Sequence, residues 1–170
     1  MQTPLKRVIL VFLPLCVLSR SSSAQPSQNV DHEIIFEIGA ALDGEPDEGT
    51  VQRGGTFAFE VTPIERWLEV EIGVSALAAE HGTEIPVDVL FKKPWPISPT
   101  FEFMVGAGPE IIRATGSNGT TYWGVSAVLD FMFWPRRNVG WYVEPGYEAT
   151  FRDGTTHHGY AVAFGLLLGR

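Results

Sequence analysis

The chain has 170 residues, one cysteine and a formal net charge of −8, with 12 Lys+Arg against 20 Asp+Glu. That length suits one domain, and the acidic balance argues against nucleic acid as a partner. Hydrophobic residues at 45% and aromatics at 12% exclude a disordered chain, while 18 glycines and 12 prolines favour strands and turns over long helices.

The first element is an export signal. Lys6 and Arg7 precede an apolar run over 8–18, and Ser22-Ser23-Ala24 ends the polar stretch that follows. This order predicts a signal peptide over 1–24, cut after Ala24, and then a short linker over 25–32. The run is interrupted by Pro14 and is too short to cross a bilayer as a helix. A lipoprotein signal at Cys16 is the alternative, but Leu15 stands where such sites carry a small residue. Cleavage removes Cys16 and with it any disulfide or thiol chemistry. It also removes Lys6, Arg7 and Arg20, leaving 9 basic against 20 acidic residues, a net −11.

From Glu33 onward the sequence alternates with a period of two, the signature of strands. Ile34, Phe36, Ile38, Ala40 and Leu42 share one face of the first. Phe57, Phe59 and Val61 mark the second, and Leu68, Val70, Ile72, Val74 and Ala76 the third. The fourth carries Ile85, Val87, Val89 and Phe91, and the fifth Phe101, Phe103, Val105 and Ala107. Trp123, Val125, Ala127, Leu129 and Phe131 mark the sixth, with Trp141, Val143, Pro145, Tyr147, Ala149 and Phe151 on the seventh. Tyr160, Val162, Phe164, Leu166 and Leu168 close the chain as the eighth. Pro145 predicts a bulge or a local weakness, because it lacks a ladder donor.

The apolar face of these eight strands contains no charged residue, although 19% of the chain is charged. The opposite face is mostly Gly, Ala, Ser, Thr and acids, with Ile35, Leu90, Val128 and Leu167 as exceptions. A soluble sandwich or ligand-binding barrel has the reverse arrangement. Large apolar side chains facing lipid and small polar ones facing a narrow interior fit this pattern, and lipid tolerates no open sheet edge. The expected fold is therefore an all-β, eight-stranded antiparallel up-and-down transmembrane β-barrel over 33–170. Links over 43–55 and 111–121 read as long polar loops on one side, with shorter ones near 80–83 and 152–157. The turns on the other side fall over 62–66, 93–99 and 135–138. Trp67, Trp95, Trp134 and Trp141 sit at those turns and predict an interfacial girdle. Tyr122, Trp123, Phe151 and Tyr160 are expected to mark the opposite rim.

Three stretches carry a resemblance: Tyr122-Trp123-Gly124-Val125-Ser126, Trp141-Tyr142-Val143-Glu144-Pro145-Gly146-Tyr147 and the terminal strand over 159–169. The chain resembles the small eight-stranded bacterial outer-membrane β-barrels, typified by the membrane domain of outer-membrane protein A. The resemblance implies residence in the outer membrane, contact with its lipid and with its assembly machinery, and a monomer. It departs from the family at its end: Leu168-Gly169-Arg170 stands where an aromatic residue is usual. Some barrels of this size modify lipid A with a rim Ser/His pair, but no serine follows His157 and His158 at a useful spacing. His32 and His81 are isolated, and the adjacent pair reads as a solvated loop or a weak metal contact.

The interior acids are the unusual feature. The alternation turns Glu37, Glu60, Glu69, Glu71, Asp88, Glu102, Asp130, Glu144 and Glu148 inward, together with Glu33 and Glu110. Lys92 is the clearest inward base, with Arg152 at the rim. Such an excess has to be balanced by water, bound cations or protons. No cofactor, structural metal or catalytic set is expected. The primary expectation is a barrel with a structural or surface-interaction role, a hydrated acidic interior and no catalysis. The alternatives are a narrow cation-conducting pore and a secreted soluble barrel binding a small apolar ligand.

Overall fold

A computed structural model describes residues 34–46, 49–79, 82–116 and 119–169, so the expected signal peptide, the linker, Glu33 and Arg170 lie outside the described residues. Eight strands follow one another: β1 (Ile34–Glu45), β2 (Thr50–Ile64), β3 (Leu68–Ala79), β4 (Gly82–Ser98), β5 (Phe101–Thr115), β6 (Thr121–Arg136), β7 (Val139–Arg152) and β8 (Thr155–Gly169). Each pairs antiparallel with the next, and β8 pairs back onto β1, sealing an eight-stranded barrel. The closing ladder runs from Ile35↔Gly169 to Gly44↔Tyr160. Two facing glycines make one close approach possible there: a Cβ on Gly165 would lie 2.2 Å from Ile38 O, and one on Gly39 would lie 2.9 Å from Tyr142 Oη.

The large apolar side chains point outward. Phe36, Ile38, Ile72, Val105, Ile111, Val125, Leu129, Phe164 and Leu166 are all exposed. Neighbouring strands interlock them as aromatic pairs, among them Phe103–Phe131 at 5.1 Å and Phe133–Trp141 stacked at 4.0 Å.

The links differ from the sequence expectation. β1 and β2 continue their ladder to Glu45↔Thr50, so most of the polar stretch over 43–55 is strand, and β5 extends to Thr115. The connections are correspondingly short: 46–49, 80–81, 116–120 and 153–154 on one side, and 65–67, 99–100 and 137–138 on the other. Asp153 and Gly154 both have positive φ, at 53° and 75°, the backbone of a tight type I′ hairpin.

Proline shapes the ladders in two ways. Near the turns over 65–67, 99–100 and 137–138, register shifts occur beside Pro63, Pro96 and Pro135. In mid-strand, Pro86, Pro109 and Pro145 leave the register intact but open a gap in one ladder each. The β6–β7 ladder, for example, steps from Val128↔Gly146 to Phe131↔Val143. Of the bulge or local weakness expected at Pro145, the ladder shows the weakness: the missing N–H removes pairing without inserting a residue. On its other side Pro145 still pairs with Val162.

Candidate functional site

The interior is the chemically distinctive part of the molecule. Inward alternation on β2, β3, β6 and β7 aims Glu60, Glu71, Asp130 and Glu144 at one point, and β4 brings Lys92 there. Lys92 is fully buried, its stem lying where a Cβ on Gly106 would meet Cγ at 2.6 Å. Its Nζ donates to Asp130 Oδ2 at 2.9 Å and pairs with Glu144 Oε2 at 2.6 Å and Glu60 Oε2 at 3.6 Å. It also contacts Glu71. Glu60 and Glu71 face each other directly across the β2–β3 ladder, a repulsive pairing that this ammonium offsets. Carboxylate oxygens of Glu37, Glu60, Glu71 and Asp130 lie within 4.8 Å of one another, a spacing suited to a metal ion. The Lys92 ammonium already lies against three of the four, so this group is a lysine-centred ion cluster.

Below the cluster, toward the turns over 65–67, 99–100 and 137–138, the interior becomes apolar. Ile35, Met104, Met132, Trp134, Tyr142 and Leu167 pack together there, and Pro94 is also fully buried. Trp134 corrects the girdle expectation. It is 7% exposed and belongs to this inner layer, because even-numbered positions of β6 face inward. Trp67, Trp95 and Trp141 do face outward at that end, Trp95 stacking on Phe103 at 5.8 Å. At the other end Trp123, Phe151 and Tyr160 are exposed, whereas Tyr122 is buried in the interior.

Above the cluster the interior opens into a chamber of about 70 Å³, bordered by Glu37, Glu71, Asp88, Glu110, Ser126, Glu144 and Glu148 among others. A smaller cavity of about 10 Å³, bordered by Asp43, Glu45, Glu84, Tyr122, Glu148 and Thr150 among others, lies on the mouth side of it. Arg152 reaches Glu45 at 3.4 Å at that rim. Glu69 is buried beside the Lys92 cluster, and Glu102 is half-buried near the apolar layer. Apart from Glu102, the sequence-predicted acids thus fall into two groups, one around Lys92 and one around the chamber. Glu110, also expected to face inward, and Ser126 border the chamber. His157 and His158 diverge: His157 turns toward Arg152, and His158 turns outward, hydrogen-bonded to Tyr147 Oη at 2.6 Å.

These features define the fold of the small eight-stranded outer-membrane β-barrels. The chain is similar to Neisserial surface protein A, with a TM-score of 0.64, 9% identity and coverage of 81% of this chain and 96% of that one. It is similar also to the outer membrane protein OprG of Pseudomonas aeruginosa, with a TM-score of 0.61, 9% identity and coverage of 83% and 98%. The N-terminal β-barrel domain of Pseudomonas aeruginosa OprF gives a TM-score of 0.55 at 9% identity, covering 81% and 98%. No family model and no curated protein sequence matches the chain.

Proposed function

We propose that this chain is a bacterial outer-membrane β-barrel, exported by a cleaved signal peptide, with a structural or surface-interaction role and no catalysis. The observation that carries this reading is the inversion of the barrel. Its outer surface presents Phe36, Ile72, Val105, Leu129 and Leu166, while its inside holds buried carboxyls. In water such an exterior would be a large apolar liability; in lipid it is what insertion requires. The non-catalytic part rests on the two adjacent histidines pointing to opposite faces, which denies them a shared substrate.

The soluble ligand-binding alternative is disfavoured by an interior that offers an apolar ligand mostly carboxyls. The conducting alternative is disfavoured by the packed layer of Met104, Met132, Trp134 and Leu167 below Lys92. Because the loop-side links are short, the surface open to a partner is the mouth, a basin of about 930 Å³ bordered by Glu45, Arg53, Glu84 and Arg152 among others.

Folding the protein from urea into detergent micelles tests the reading. Unboiled protein should migrate differently from boiled protein on a gel and show a β-sheet circular dichroism spectrum. A stable monomer that purifies and stays folded without detergent would overturn it.

A further inference from the structure

By alternation every acid on the eight strands faces the interior, whereas Lys93 faces out. It stands on β4 between the exposed Phe91 and Trp95, opposite the exposed Val105 of β5. The sequence pattern places it in a turn over 93–99, but β4 runs on to Ser98. An ammonium rooted in such a wall needs a polar partner within reach of its stem. Lys93 Nζ donates to the carbonyl of Arg66, in the turn over 65–67, and lies 5.7 Å from the Trp95 ring centroid. That carbonyl takes one of its three donors.

Arg66 is the second base at this spot. The Trp67 N–H donates to Ile64 O at 3.0 Å, closing a turn in which Arg66 holds the third position with φ 60°. Glycine or asparagine normally fills that position, because a larger side chain is disfavoured in the left-handed region. An arginine kept there is backbone strain of the kind that accompanies functional side chains. Arg66 is exposed, and because Lys93 Nζ touches its carbonyl, the two cationic heads lie within about one arginine side chain of each other. Glu65, exposed in the same turn, leaves two bases and one acid, a net charge of +1.

We propose that Lys93 and Arg66 bind the phosphodiester of an anionic glycerophospholipid, whose acyl chains lie along Phe91 and Val105 and whose glycerol region lies beside Trp95. The site rests on the membrane reading above, since a bilayer is what brings a headgroup to this level of the wall. A phosphodiester carries the single negative charge that the net +1 complements. Trp67 and Trp95, 59% and 42% exposed, supply the amphipathic rings that favour the level of the headgroups.

The test uses the protein refolded in zwitterionic detergent and titrated with phosphatidylglycerol or phosphatidylcholine, with retained lipids counted by native mass spectrometry. One phosphatidylglycerol should be retained at a lower concentration than phosphatidylcholine requires. Lys93→Gln and Arg66→Gly should each weaken that retention about 5-fold, the worth of one base beside anionic lipid, and leave phosphatidylcholine unaffected. Arg66→Gly should also unfold at no lower urea concentration in lipid-free micelles, because glycine accepts the φ at that position. Arg137→Gln, which removes a base from another turn at the same end, should leave retention unchanged. Equal retention of the two lipids by the unsubstituted protein would overturn the proposal. So would a loss in Arg137→Gln as large as in the other two, which would mark diffuse attraction to surface charge. Gel migration of unboiled against boiled samples separates the two readings: a shift without lipid preference removes this site alone, and a protein that stays folded without detergent removes both.

Discussion

Lys92 shows what one buried charge does when it is the sole ammonium among four carboxyl partners. Transfer of an ion into a barrel interior is expensive, and breaking such a group by removing one partner costs about 3–5 kcal/mol. Lys92→Met keeps the bulk of the stem over Gly106 and removes only the charge. Urea unfolding should show a loss of about that size. Stability unchanged by the substitution would mean that Lys92 acts through packing alone. Sequence alternation alone was enough to read that these acids and Lys92 face inward. It could not show that β2, β3, β6 and β7 deliver four of them to one Nζ, because that depends on barrel stagger. Trp134 was misread for a related reason. Its place beside a turn suggested an interfacial ring, yet its even parity on β6 puts it in the inner layer with Met132.

At the level of strands, proline decides where the ladders are incomplete. Pro86, Pro109 and Pro145 each leave one neighbour without its usual pairing while the other side remains bonded. Hydrogen exchange should detect this. Amides of β6 between Val128 and Phe131 should exchange faster than those between Ala127 and Trp123, and Pro145→Val should slow them by about tenfold, the worth of one recovered hydrogen bond. Uniform protection along β6 would contradict this assignment. The strand cores around Ile38, Val74 and Val125 were legible because lipid contact imposes alternation. The ends were not. Val51, Arg53 and Gly55 continue β2 toward the mouth, where hydrogen bonding persists but no apolar surroundings demand greasy side chains. Hence the stretch over 43–55 looked like a loop and is a hairpin.

For the whole molecule, three layers succeed one another along the interior: a mouth and acidic chamber, the Lys92 cluster, and an apolar floor. Among the described residues, the packed layer of Met104, Met132, Trp134 and Leu167 closes the lower end of this column. In planar bilayers the protein should give no stepwise conductance at moderate voltage; reproducible cation-selective steps would contradict the floor formed by Met104, Met132 and Leu167. The outward apolar surface is the premise on which the membrane reading depends. Apart from Cys16 the sequence has no cysteine, so single cysteines can be placed at will in a chain starting at Gln25. An environment-sensitive fluorophore at Val125 or Leu129, and another at Ser126, should be compared in lipid vesicles containing a chain-attached quencher. Blue-shifted emission and strong quenching by the lipid are expected at Val125 and Leu129, with little quenching at Ser126. Equal quenching at all three sites, or water-like emission at Val125 with quenching by aqueous iodide, would contradict it.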